Sequence, residues 1–348
     1  MRVHFVRFTV TLAALCTALQ PSARGQSALT GTIVASNMND NTATIIDAAS
    51  GRVRATVPTG EGPHEVAISN DGRWAAVSNY GVRGKPGNTI TVIDVVRHAA
   101  ARTITIADHQ RPHSMAFLPG DTLLAVTDQA KAAVLLVDFR SGSVVSILPS
   151  GGRTPHMLGL SSDGRRFVTG NMQDGTLSSF GTATSDAPTV IRVATQPEGV
   201  AISPDGSMVL AGSNKDSVVV VVDLQKGIVV DTLRGFGLPY RMAFTPNRRR
   251  AVITDPVKAR ISIVDVETSE IRARIQVPGD SVLATAEVPG SPSPEGVAVS
   301  RDSRWAFVTL QGRNRVAIID IERGVIVGLA PTGNWSDGVG YSPLVSLP

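Results

Sequence analysis

The sequence predicts an all-β protein, a seven-bladed β-propeller with four antiparallel strands per blade. Three observations predict it: a hairpin phrase copied along the chain, a period in the low forties, and two chain ends that complete each other. The phrase is "GPHEVAISNDGRWAAVSN" (62–79), and it returns as "TPHMLGLSSDGRRFVTGN" (154–171), "QPEGVAISPDGSMVLAGSN" (196–214) and "SPEGVAVSRDSRWAFVTL" (293–310). Its opening proline recurs at Pro63, Pro112, Pro155, Pro197, Pro239 and Pro294, at spacings of 49, 43, 42, 42 and 55. Ser336 follows Pro294 by 42 residues and opens a seventh copy. Short strands at this period are the signature of a four-stranded propeller blade.

Each period supplies its four strands in order. The first is of the "GVAIS" type. A turn such as Asp71-Gly72, Asp163-Gly164 or Asp205-Gly206 then reverses the chain, because glycine accepts the positive φ of a tight hairpin. The second strand is "WAAVSN" or "AVITD". The third is β-branched, as in "TITVIDV", and the unbroken run Val218 to Val222 reads as a strand covered on both faces. An aspartate ends the third strand with glycine four residues on, as in Asp47/Gly51, Asp138/Gly142, Asp223/Gly227 and Asp320/Gly324. These aspartates read as caps of the following turn. The fourth strand is "VRATVP" or "IVVDTL". The chain enters on a second-type strand, "GTIVASN" (31–37), and its missing first strand is the last segment, "DGVGYS" (337–342). One blade is therefore expected to join both ends, which removes the free sheet edges.

Residues 1–25 read as a secretory signal peptide: Arg2 and Arg7, an apolar stretch of 12 residues, and small residues before a cleavage point near Gly25. That stretch is too short for a membrane span, which needs about 20 apolar residues. The expectation is a periplasmic or secreted protein whose residues 26–348 form one propeller domain, monomeric and without a membrane span. The single cysteine, Cys16, leaves with the signal, excluding disulfides, thiolate metal sites and covalent haem from the remainder. So do Arg2, Arg7 and Arg24, and the formal charge of +4 falls to near +1. Nucleic acid is not an expected partner.

The phrases "VASNMNDNTATIID", "AAVSNYGVRGKPGNTITVID" and "AFVTLQGRNRVAIID", with the P-x-G-V-A-[IV]-S-x-D-[GS] hairpins, resemble the YVTN-repeat β-propeller family over residues 31 to 343. The resemblance implies the fold and leaves the activity open. Similar seven-bladed rings occur in lactonases, in the propeller half of haem d1 nitrite reductases, in copper-dependent thiol oxidases of the selenium-binding type, and in plain binding proteins.

In such a ring the first strand lines the channel, so the residue after each opening proline stands at its mouth. Read around the ring, that position holds His64, His113, His156, Glu198, Tyr240, Glu295 and Asp337. Imidazoles and carboxylates suit zinc, copper or iron with a position left open for substrate. A polar lining that only solvates the inner strands is the other reading of the same residues. Convergence of the three imidazoles discriminates the two. Tyr80, Tyr240 and Trp335 fall in loops on this face, and Arg111, Arg153 and Arg241 flank the histidines, where they could hold a carboxylate. Two insertions, 80–88 and 279–294, enlarge the same face.

Other motifs do not hold. "HEVAI" has Ile68 where a zinc protease needs its second histidine, and "NMNDN" lacks the glycine and distal acid of a calcium loop. Arg248, Arg249 and Arg250 fall at a solvated turn on the opposite face. The favoured function is an exported module that binds a small molecule or protein on the loop face. The alternative is a metal-dependent enzyme, either a lactonase-like hydrolase or a copper or iron oxidoreductase. Its ligands would be His64, His113 and His156, with Glu198 or Glu295 as acid–base.

Overall fold

The computed structural model describes residues 28–182, 186–279 and 288–345. The expected signal peptide and half of the 279–294 insertion, residues 280–287, lie outside the described residues. Strands β1 to β28 form seven four-stranded antiparallel sheets. Blade one closes the ring as expected: β28 (Ser336–Ser342) lies beside β1 (Thr32–Asn37), which continues into β2 (Thr42–Asp47) and β3 (Val53–Pro58). Ile33 stands opposite Tyr341 and Val34 opposite Gly340. Blades two to seven follow as consecutive quartets, β4–β7 through β24–β27. No helix among the described residues is long and apolar enough to cross a membrane.

Burial follows position in the blade. The middle strand β18 (Val218–Asp223) buries all five valines, as a strand covered on both faces must. The outermost β11 (Val144–Pro149) alternates half-buried and exposed residues, because one face meets solvent. The core lies between blades: Val92 and Ile104 of blade two pack with Met115, Val126 and Leu135 of blade three. The strand-ending aspartates cap turns as read from the sequence. Asp47 accepts the Ser50 N–H at 2.8 Å, Asp138 that of Ser141 at 2.7 Å, and Asp223 that of Lys226 at 3.0 Å.

One device repeats at the channel mouth. The residue before the opening position turns into the left-handed region: Gly62, Arg111, Thr154, Gln196, Ser293 and Trp335 have φ between 48° and 60°. The inner strand then starts with a bulge. Pro63 pairs with Asn79, but Val66 pairs with Val77, so His64 and Glu65 occupy the irregular step. The same shift holds His113, His156, Glu198 and Glu295. A bulge re-aims side chains out of the ladder, and here it aims them at the channel. The 80–88 insertion forms ladder instead of loop: Gly81 pairs with Pro86 and Val82 with Lys85, extending the hairpin of β5 (Trp74–Val82) and β6 (Lys85–Asp94).

Candidate functional site

On four blades the N–H group freed by the bulge finds its partner in a hydroxyl of the second strand. Ser36 accepts from the Gly338 N–H, Ser78 from Glu65, Thr127 from Ser114 and Thr254 from Arg241, at 2.9 to 3.1 Å. Several of these hydroxyls also donate across to the next blade. Ser36 donates to the His64 carbonyl at 2.5 Å, Thr127 to His156 at 3.0 Å and Thr254 to Glu295 at 2.8 Å. The backbone beneath the site is thus fastened blade to blade through these hydroxyls.

Side chains from successive blades meet above this frame. The His64 and His113 rings lie with centroids 4.3 Å apart, and His113 and His156 at 3.7 Å, so the three imidazoles converge. Asp337 Oδ2 stands 2.5 Å from His64 Nδ1, close enough for an ion pair although off-line for a hydrogen bond. His156 Nε2 faces Glu198 Oε1 at 2.5 Å, while the Gln129 amide meets its other nitrogen. Glu198 also accepts from Asn214 at 3.0 Å. Arg241, 3 % exposed, donates from Nε to Glu65 and from Nη1 to Glu198, both at 2.9 Å. Glu295, wholly buried, accepts from Ser293 at 2.7 Å.

Electrostatics separate the imidazoles. Burial drives His113 well below the ordinary histidine value, and the neighbouring His156, His64 and Arg241 push it further down. Neither His113 nitrogen has an aligned partner. Burial also pushes His64 down, but the Asp337 and Glu65 carboxylates outweigh it and raise its value. Glu198 and Asp337 are lowered against the upward push of burial, Glu198 by His156 and Arg241, Asp337 by His64 and Arg241. Arg241 is held protonated among the acids.

The rim residues divide. Tyr80 stands edge-on to His64 and His113 at 5.3 and 5.5 Å, and its hydroxyl donates to Gln129 at 2.7 Å. Arg111 lies over the Tyr80 ring, and Arg241 over Tyr240. Arg153 instead forms a surface pair with Asp174 and lines an open cavity of about 570 Å³ that none of the three histidines borders. Trp335 is half-buried at its left-handed turn, its N–H on Asn314. Arg248 and Arg250 pair with Asp205 and Asp265. Two participants were missed in the sequence. Glu65 sits in the second bulge position, which reads as Gly199, Gly296 and Gly338 on other blades and so drew no notice; its one signal was adjacency to His64. Gln129 gave none. Ligand atoms of His64, Glu65 and His113 lie within 4.8 Å of one another.

The family model for the cytochrome D1 heme domain matches residues 119–343, more than half of the chain. The chain belongs to this family. Among solved structures, the ring is similar to Kuenenia stuttgartiensis hydrazine synthase at a TM-score of 0.67 and 18 % identity, covering 79 % of this chain and 88 % of that one. It is also similar to a protein of unknown function from Desulfotomaculum acetoxidans, at a TM-score of 0.73 and 9 % identity, covering 90 % and 99 %. At these identities the likeness is one of fold. No curated protein matches the chain.

The name of the cytochrome D1 heme domain family directs attention to haem. The mouth of this ring does not fit one: His113 is wholly buried, and Arg241 bridges the channel from Glu198 to Glu65. The donor set does fit a single transition-metal ion. Two imidazoles and a carboxylate are borderline ligands suited to zinc, copper or iron. Bonds of about 2.1 Å need donors about 3.4 Å apart, so the separations, within 4.8 Å here, must shrink by up to about 1.4 Å.

Proposed function

We propose that this protein is an exported propeller that binds a divalent transition metal at the channel mouth through His64, Glu65 and His113. The observation that carries the reading is the convergence of these three donors, with both His113 nitrogens unpartnered and His113 held neutral. A buried polar atom without a partner is costly, and a ligand that completes it removes the cost. Asp337 plays the part of an orienting carboxylate: engaged with Nδ1 of His64, it leaves Nε2 for the metal. Binding at Nε2 would displace that nitrogen's proton and leave the Nδ1 proton facing Asp337.

A bound metal would supply a Lewis acid at the mouth. The chain's own residues do the rest. Gln129 donates to His156, which keeps that ring's proton on Nε2 against Glu198, and Tyr80 holds Gln129 in place. A metal-dependent enzyme therefore now leads over a bare interaction module, with the His156–Glu198 pair as its proton-handling element. A metal-free loop face holding a small acidic ligand is the second reading, favoured by the buried Arg241 Nη2, which has no partner. The YVTN-repeat label, carried by the phrases quoted above, a monomeric state and a periplasmic or secreted location belong to the same proposal.

The test is elemental analysis of untagged protein beside the triple variant His64→Ala, Glu65→Gln, His113→Ala. About one equivalent of zinc, copper or iron in the parent, lost in the variant, is the expected result. A parent that stays metal-free after incubation with each ion refutes the site.

A further inference from the structure

Blade six departs from the other blades, and its departure closes the channel. Its inner strand is only Met242–Phe244, three residues against six in blade five, and the ladder starts at the Met242–Ile253 pair. Tyr240 and Arg241 stand outside that ladder. Gly199, Gly296 and Gly338 hold the position of Arg241 on other blades. A Cβ at those glycines would meet a carbonyl oxygen of the next blade at 2.3 to 2.4 Å, so no side chain can leave those strands there. Blades two to four carry Glu65, Ser114 and Met157 at this position, and blade six carries Arg241 just before its late-starting ladder.

Arg241 then reaches Glu65 on blade two, 176 residues away, while a second nitrogen holds Glu198 on adjacent blade five. Blade two lies three blades from blade six one way and four the other, and no two blades of a seven-membered ring are further apart. The guanidinium is therefore a crossbar. Under it the three imidazoles stand in van der Waals contact, and Tyr80 with Arg111 stacked on it covers His64 and His113 from the rim.

We infer that Arg241 decides which class of cofactor this ring accepts, admitting a single metal ion and excluding a planar tetrapyrrole. A macrocycle bonded through its iron to an imidazole nitrogen needs clear space on all sides of that nitrogen, in the plane across the channel. The crossbar occupies that plane, and of its two charge-assisted bonds the one to Glu198 is buried and the one to Glu65 partly so, where displacement leaves carboxylates uncompensated. A metal ion needs only the gap between donors that already converge. The exclusion rests on the filled channel and stands whether or not the metal reading holds.

The test mixes the full purified chain with iron protoporphyrin IX, removes free haem by gel filtration, and records absorbance per chain. The parent is expected to retain no stoichiometric haem with an imidazole-ligated spectrum. Arg241→Gly, the residue type of three equivalent positions, is expected to gain such a complex and to lose it on adding His113→Ala. Arg241→Gln serves if the glycine variant does not fold, and circular dichroism reports folding for each. A parent that elutes with about one imidazole-ligated haem per chain overturns the exclusion. A folded Arg241 variant that still takes no haem overturns the assignment to Arg241. Metal analysis of the same samples is read separately, so failure of the metal reading is visible on its own.

Discussion

Replacing Arg241 by methionine tests whether the crossbar is a structural element of the ring. The substitution keeps much of the side-chain volume and removes two hydrogen bonds to carboxylates, each worth about 1.5–3 kcal/mol. The two acids then fare differently. Glu198 keeps His156 and Asn214, whereas Glu65 loses its guanidinium and faces only His64 Nδ1, 3.8 Å away. Breaking a buried pair from one side costs about 3–5 kcal/mol, and most of it here should reside in Glu65. Arg241→Met is therefore expected to lose about 3–5 kcal/mol, and Arg241→Met with Glu65→Gln to recover about half of that. Equilibrium urea unfolding of the two single variants, the double variant and the parent, followed by far-ultraviolet circular dichroism, closes the cycle. A loss under about 1 kcal/mol in Arg241→Met, or single effects that add within about 0.5 kcal/mol, would refute the reasoning.

Four further outcomes are expected. Asp337→Asn should weaken metal binding by about 10–100-fold in competition titrations while leaving the saturated stoichiometry unchanged, because it orients His64 without being a ligand. Glu198 has a lowered folded-state value, so its stabilisation is complete above the unfolded value of 4.5 and is lost as pH falls below it; Glu198→Gln should flatten the acid limb of a stability–pH curve there. Thr127→Val removes the hydroxyl shared by Ser114 and the His156 carbonyl, and unfolding should show a loss of about 1–3 kcal/mol. Gly338→Val would place a Cβ 2.3 Å from the His64 carbonyl oxygen; a cost of about 1–3 kcal/mol and a displaced His64 imidazole resonance are expected, and an undisturbed resonance counts against the tight packing.

The fold was legible because a propeller repeats its local chemistry. Proline, turn and capping aspartate recur at one spacing, and each copy reports the same strand, so the ring and its closure by β28 on β1 follow from register alone. The first-position residues were legible for the same reason, and the structure brings His64, His113, His156, Glu198 and Asp337 to the mouth. The crossbar was not. Its reach to Glu65 depends on a strand of blade six that starts late, and the spacing of Pro239 gives no sign of that. Gln129 lies on a hairpin turn, "TDQAKA" (127–132), that reads like "TDPVKA" (254–259) on blade six, and it matters only because Tyr80 and His156 are folded against it. Arg153 carried the opposite lesson: beside a site histidine in sequence, it turns outward to Asp174 once the left-handed Thr154 redirects the chain.

The charge composition of the belt argues for what it holds. Four acidic side chains, Glu65, Glu198, Glu295 and Asp337, crowd around one guanidinium and three imidazoles, and most of these groups are out of water. His113 is held neutral by burial, so among the imidazoles it contributes no charge against the acids. Arg241 is shared between Glu65 and Glu198, His156 also faces Glu198, and His64 faces Asp337. Glu65 is the least compensated of these acids, since it shares Arg241 with Glu198 and otherwise stands 3.8 Å from His64 Nδ1. A divalent cation between His64, Glu65 and His113 supplies positive charge beside Glu65 and a partner for one of the two His113 nitrogens. On this reasoning metal binding and folding stability are linked, and the ion should raise the unfolding midpoint in proportion to its saturation.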